Sequence, residues 1–381
     1  MEERPYLDFY STYGAGLVSR DIADRPKFFG ARERLFVALG ILPGLLEGKS
    51  ILEFGPGTGH NSLYADSLRP RQYVLVDGDK TILEACKERL NTQGIKSVEK
   101  KFVHALFENY STEEKFDLVI AEACIPNQPV PTETLRQMLS FLKPGGVIIF
   151  TTVSPASWLS EITRRIVKLE CIDPEGTINV EKLYRKLKTH FTFLQGMARS
   201  PKEWILDNLI QPLSGGQLFS IPSALNSLTA EYQVSGISPM FFQDWRWYKD
   251  TLGDKKTMHM EIIDQYHQHI TNFLDRRTIS STSTKAFGER VESLSSKIWA
   301  DVNSLESIQS QTPTGLDGLL SSLNEVAAFV SKESPITSKS IEEAVDWIKG
   351  GLKEDELKYF PNWWGRAQQH VGVTKSIYGL R

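Results

Sequence analysis

The chain has 381 residues, 40% hydrophobic and 24% charged, with 44 Lys and Arg against 47 Asp and Glu and a formal net charge of −3. This is a globular composition with enough apolar material for one large domain or two ordinary ones. Basic residues are scattered, with no run longer than the stretch Glu99–Lys101, which argues against a nucleic-acid partner.

Cys86, Cys124 and Cys171 are widely spaced and form no CxxC pair, so a disulfide framework or a metal site is not expected and a reducing compartment fits. The N-terminus lacks a basic-then-apolar leader pattern, and no apolar stretch approaches the ~20 residues a membrane span needs. The expected location is cytoplasmic, with no membrane partner.

From residue 45 to 153 strands and helices alternate. "KSILEF" and "RQYVLVD" are buried strands, the second ending in Asp77, with a short helix "NSLYADSL" between them. Next comes a helix with Ile82, Cys86 and Leu90 on one face and Asp79 placed as its cap. "KFVHA" and "FDLVIAE" are strands, the latter ending in Glu122. Leu135, Met138, Leu139 and Leu142 make one helical stripe, which Lys143-Pro144-Gly145-Gly146 should stop. "VIIFTTV" is a fifth strand. Such alternation implies a parallel sheet covered on both faces.

After about Ser157 helices dominate. Trp158, Ile162 and Ile166 fall four apart, and Ser200 with Glu203 forms a capping box ahead of "WILDNLI". "AEYQVSGIS" returns to strand character. An amphipathic stretch, "TMHMEIIDQYHQHITNFL", and a Ser/Thr-rich link follow. Three more helices are expected at 287–305, 316–330 and 340–352, the last capped by a Ser340/Glu343 box. "RAQQHVGVTKSIY" is best taken as a strand.

The most informative segment is "ILEFGPGTGH". A strand-to-helix turn aims backbone N–H groups and a helix dipole at a ligand, and glycine lets that ligand approach. A phosphate-cradling loop would need a GxxxxGK[ST] pattern, and no Lys follows. The dinucleotide fingerprint GxGxxG is matched imperfectly, because Gly55, Gly57 and Gly59 are spaced by two. Glu53 puts negative charge beside the turn, which suits a ligand carrying an ammonium and a sulfonium.

Here the sequence resembles the Rossmann-like (class I) S-adenosylmethionine-dependent methyltransferases, whose first motif is an acid followed by GxGxG. "EFGPGTG" fits it without a gap, and Asp77, "FDLVIAE" and "LKPGGVIIF" match later motifs in order over under half of the chain. The resemblance implies an α/β fold: a Rossmann-like sheet, mostly parallel with the last strand antiparallel, carrying large helical insertions. It implies S-adenosylmethionine as cofactor. Glu53 would meet the methionine amino group, Gly55, Gly57 and Gly59 would line the methionine and ribose side, and Asp77 with Gly78 would take the ribose. Leu106 and Phe107 would sit against the adenine. Glu108 is a weak substitute for the acid often found near there. Asp77 is also open to a capping role, though Asp79 is better placed for that.

The only segments available to close such a sheet are "AEYQVSGIS" and "QQHVGVTK". This gives an N-terminal helical segment 1–44, a cofactor-binding core 45–153, a helical lid 154–225, strand six with an aromatic segment 226–253, a second helical insertion 254–355 and a final antiparallel strand 356–381. Both insertions should leave from the ligand edge and roof the pocket. Trp245, Trp247 and Tyr248 are candidate substrate contacts, or alternatively part of an aromatic hinge core. Glu122 and His60 are the candidate bases, and the insertions offer a surface for a homodimer. The expected reaction is in-line methyl transfer to a small-molecule or sugar-type acceptor. The absence of [DN]PP[YF] in "EACIPNQP" argues against nucleobases. Two rivals are a catalytically idle cofactor-binding partner protein and a nicotinamide oxidoreductase, the latter disfavoured by the glycine spacing.

Overall fold

The computed structural model describes Phe9 and residues 20–378, apart from 174–176, 195–196, 198, 213–217, 250–254, 280, 308–312 and 351–352. Most of the first half of the expected segment 1–44 therefore lies outside the described residues. Among those described, no helix is long and apolar enough to cross a membrane.

The chain divides into two units. The first comprises Met1–Thr152, Phe219–Ile263 and Gln369–Arg381, and the second Val153–Leu218 and Asp264–Gln368. The first is built on one seven-stranded sheet: β1 (Ser50–Phe54), β2 (Gln72–Asp77), β3 (Glu99–His104), β4 (Phe116–Ala121), β5 (Leu142–Thr152), β6 (Tyr232–Ser238) and β7 (Gln369–Lys375). Their order is β3-β2-β1-β4-β5-β7-β6. The first five pair in parallel, and β7 runs antiparallel to both β5 and β6, so the expected Rossmann-like arrangement is what forms.

β1 is buried along its whole length, as are the last five residues of β2, because helices cover both faces. On one face Ile51, Tyr73, Leu75, Leu118, Ile120 and Ile149 pack with Phe36, Leu63, Tyr64 and Leu90. On the other, Phe54 meets Tyr110 at 5.6 Å and Phe141 at 5.9 Å.

The helix before β5 spans Pro131–Ser140. Lys143–Gly146 falls inside β5, not after the helix: Leu142 already pairs with Phe116, and the register then jumps to Leu118 with Val147. Gly145 takes a positive φ of 76° in that bulge. Lys143 Nζ ties it to Asp117 at 2.8 Å.

The second unit is helical. Its longer helices are Leu159–Lys168, Val180–Phe191, Lys285–Ser307, Pro313–Val330 and Pro335–Ile348. The Ser200/Glu203 capping box is present. The Ser340/Glu343 box is not, because that helix begins five residues earlier, at Pro335, with Ser334 as its N-cap. Ser340 instead bonds back to the Ile336 carbonyl, and Glu343 accepts the backbone N–H groups of Lys358, Tyr359 and Phe360. The amphipathic stretch 257–274 breaks at His269 into Lys255–Gln268 and Ile270–Leu274.

Candidate active site

Where β1 ends, Gly55, Gly57 and Gly59 all take positive φ, 65°, 55° and 79°. This is the left-handed region that a side chain enters only with strain. Space is also short. A Cβ on Gly55 would lie 2.9 Å from Cys124 Cβ, and one on Gly59 would lie 2.9 Å from Cys86 Sγ. The Gly55 N–H bonds the Val76 carbonyl at 2.9 Å, which fixes the turn beside the end of β2. The helix Ser62–Ser67 starts immediately after it.

Glu53 is buried below this turn and accepts the Tyr73 hydroxyl. Burial pushes its carboxyl up to about 7 against the opposing Tyr73 hydrogen bond. Asp77 is buried at the end of β2. Its Oδ1 accepts the Asp79 N–H at 2.9 Å, while Asp79 itself caps the following helix through Ile82 N. Asp77 is therefore not the helix cap. Burial raises it to about 6, opposed by the backbone amides of Asp79 and Gly57. The Gly78 carbonyl lies 3.1 Å from His104 Nε2. Leu106 and Phe107 follow β3 and are half-buried. Phe107 stands edge-on to Phe54 at 5.5 Å, and its ring also borders Gly55.

Glu122 lies just past β4 on the same edge. Arg32, on the helix Arg25–Ala38, grips both its oxygens, at 2.9 and 2.7 Å. Asn61 Nδ2 reaches it at 3.4 Å and His370 Nε2 at 3.6 Å. Burial pushes Glu122 up, but Arg32 outweighs it and holds the carboxyl below its usual range. The next residue, Ala123, has φ of 56°, an uncommon conformation for a non-glycine. His60 is buried with Nδ1 2.8 Å from Thr58 Oγ1. Burial, with Arg89 and Arg20 adding to it, lowers His60 to about 4, so it is neutral near pH 7.

One structural unit thus brings Glu53, the three glycines, Asp77, Gly78, Leu106, Phe107, Glu122 and His60 to the carboxyl edge of its sheet, where folds of this kind hold ligands. Trp245, Trp247 and Tyr248 lie in an irregular segment past β6 and are 90%, 60% and 68% exposed. They are not a hinge core. Trp363 and Trp364, by contrast, are fully buried in the helical unit.

Sequence reasoning missed Arg32, Tyr73, Asn61 and His370. A Tyr in an otherwise aliphatic buried strand was a usable signal for Tyr73, which pairs with Ile51 on the Glu53 face. Nothing local marked Arg32.

The family described as "Methyltransferase domain" matches residues 45–191, the stretch that carries the turn and both acids. That stretch is a class I S-adenosylmethionine-dependent methyltransferase domain. The turn fits the donor by its own chemistry: a cradle that a Cβ would fill, two buried carboxylates for an ammonium and a pair of hydroxyls, and no phosphate-binding Lys.

Among the proteins similar to this chain are two curated relatives and one solved structure. A phthiotriol/phenolphthiotriol dimycocerosates methyltransferase of Mycobacterium ulcerans is 29% identical over 118 residues, 30% of this chain and 42% of that one. A ubiquinone biosynthesis O-methyltransferase of Vibrio vulnificus is 28% identical over 158 residues, 40% of this chain and 64% of that one. The alignments thus span less than two thirds of either relative. PKMT2 from Rickettsia typhi, solved in complex with AdoHcy, aligns with TM-score 0.45 and 18% identity over 62% of this chain and 51% of that one.

Proposed function

We propose that this chain moves the methyl group of S-adenosylmethionine to a small-molecule or sugar-type acceptor by in-line transfer. The observation that carries the reading is the three-glycine turn flanked by two buried carboxyl groups, Glu53 and Asp77. The bound donor supplies an electrophilic sulfonium methyl, so the protein's tasks are alignment and exclusion of water. Asp77 accepts the ribose hydroxyls, since one carboxylate can take two donors. Glu53 faces the methionine ammonium. Leu106 and Phe107 border the adenine, and Phe107 is braced there by Phe54.

Neither base candidate has a high proton affinity in place. His60 is shifted to about 4, and Glu122 is held low by Arg32. We therefore assign them holding roles and let the acceptor's proton leave late. Trp245, Trp247 and Tyr248 are exposed enough to meet an acceptor directly. The helical unit departs from β5 at Thr152, the carboxyl end of that strand. The relatives' names, one for dimycocerosates and one for ubiquinone biosynthesis, support a small-molecule acceptor.

Calorimetry tests the reading. S-adenosylhomocysteine should bind and raise the melting temperature, by about 2.7 kcal/mol of stabilisation at a hundredfold excess over Kd, and NAD should do neither. Stabilisation by NAD alone would overturn it.

A further inference from the structure

His370 is the second residue of β7. That strand runs antiparallel to both neighbours, so the ring stands at their carboxyl ends, opposite Thr151 of β5 and Ser238 of β6. It shares a face of β7 with Gly372, where a Cβ would run into the Leu39 carbonyl at the end of the helix Arg25–Ala38. The same helix carries Arg32, which holds Glu122 ionised beside the ring.

Glu122 Oε1 is 3.6 Å from His370 Nε2. An ionised carboxylate only accepts, so Nε2 carries the ring hydrogen and Nδ1 keeps its lone pair. Nδ1 has no hydrogen-bond partner among the described residues, and the side chain is 22% exposed. The 3.6 Å separation is long for a hydrogen bond, but catalytic pairs tighten when substrate binds. His60 differs on both points. Its Nδ1 is committed to Thr58, and the charges that act on it, Arg89 and Arg20, add to the lowering by burial. Burial lowers His370 too, and Arg32 adds to that, but Glu122 opposes them. The ring is therefore neutral near pH 7, with a carboxylate in place for positive charge that forms on it.

We propose that His370 is the base for methyl transfer: its Nδ1 takes the proton of a hydroxyl on the acceptor, while Glu122 orients the ring and balances the imidazolium that forms. This rests on the methyl-donor reading and adds to it the acceptor's reacting group. The acceptor oxygen bonds the methyl carbon as the carbon–sulfur bond breaks, and the electron pair of that bond stays on sulfur. The hydroxyl proton passes late to Nδ1 and from there to water, so the positive charge of the donor leaves as a proton. A carboxylate acceptor has no such proton to give, and Glu122 would repel it.

The test uses the full chain, saturating S-adenosylmethionine and three probe acceptors: 4-methylphenol, the more acidic 4-nitrophenol, and benzoate. The wild type should methylate both phenols and not benzoate. His370→Gln should lower kcat for 4-methylphenol about 100- to 10,000-fold, and for 4-nitrophenol, which sheds its proton more readily, by less than about tenfold. Its affinity for S-adenosylhomocysteine in calorimetry should stay within about twofold of the wild type. The wild-type rate with 4-methylphenol should rise from about pH 5, as His370 loses its proton, and level off by about pH 7. Equal losses for the two phenols would make His370 a structural residue and overturn the assignment. Methylation of benzoate alone, or of neither phenol by a chain that binds S-adenosylhomocysteine, would overturn the hydroxyl acceptor. If His370→Gln fails to fold, the wild-type profile decides alone, because a rate that stays flat over this range leaves no base to assign. A wild type that does not bind S-adenosylhomocysteine overturns the donor reading itself.

Discussion

Arg164 and Arg165 in the helical unit have a partner for every side-chain nitrogen, whereas Arg32 in the sheet unit has one buried nitrogen with no partner among the described residues. Arg164 donates to the carbonyls of Ser160, Phe360, Pro361 and Trp363 and to His190 Nδ1, and it stacks 3.7 Å from the Trp364 ring centroid. Arg165 takes both oxygens of Glu306 and the carbonyls of Asn208 and Gln211. A completed cation of this kind joins distant segments and offers nothing to a ligand. In the sheet unit, Glu53 and Asp77 are likewise buried with too little counter-charge, and burial raises both carboxyls. Raised carboxyls are not confined to that unit: burial also pushes Glu161 and Glu292 of the helical unit up to about 7, so what sets the sheet unit apart is that Glu53 and Asp77 flank the glycine turn.

The sharpest way to break that comparison is to remove a strand. Deleting residues 369–381 takes away β7, which pairs with β5 on one side and β6 on the other. It should move the protein into the insoluble fraction, since two buried edges lose their partners. Soluble expression with unchanged S-adenosylhomocysteine affinity would show that the strand is dispensable.

Next in size is Arg164→Met, which should cost about 3–5 kcal/mol in urea unfolding, because several buried acceptors lose their donor at once. A loss under about 1 kcal/mol would mean that the completed set is not structural.

Asp77→Asn should do the opposite. It should weaken S-adenosylhomocysteine by roughly 1.5–3 kcal/mol in calorimetry. Its thermal midpoint at pH 7.5 should be no lower than that of the wild type, because the buried carboxylate is a burden without its ligand. A lower midpoint with unchanged affinity would make Asp77 a structural strand end.

The smallest effect is a pH dependence. Glu53 is raised to about 7 in the folded protein, so its stabilising contribution is present at low pH and is lost as pH rises through about 7. Stability of the ligand-free protein should fall by on the order of 1–3 kcal/mol between pH 5 and 8 in chemical denaturation. Affinity for S-adenosylhomocysteine should change the other way, tightening as pH rises toward 7.5, with proton release detectable in buffers of different ionisation enthalpy. Affinity that stays flat over this range would remove Glu53 from the ammonium site.

The sheet was legible because its strands follow simple rules. Continuous apolar runs such as "YVLVD" fit strands covered on both faces, and Val371 and Val373 alternate in β7. The turn was legible because GxGxG with two acids has few other physical uses. The rest depended on distance along the chain. Arg32 and Glu122 are ninety residues apart, and no spacing rule links them. Ser340 and Glu343 fit a capping box, but four extra residues beyond Pro335 are also helical, so the same pair fell within the helix. The aromatic cluster after β6 looked like core by composition. Its position in a segment with no regular structure leaves Trp245 almost wholly in solvent.

The order of strands has a consequence for synthesis. Among the described residues β6 pairs only with β7, and Gln369 comes 131 positions after Ser238. At roughly 5–20 residues per second, the ribosome needs several seconds to tens of seconds to make the stretch between them. Until β7 is made, β6 lacks the one sheet neighbour it has among the described residues, and β5 lacks one of its two. The nascent sheet therefore waits with a gap between its fifth and sixth strands while the helical unit emerges. A strand from another nascent chain could fill that gap first, so dense polysomes should favour aggregation, and slower initiation should relieve it.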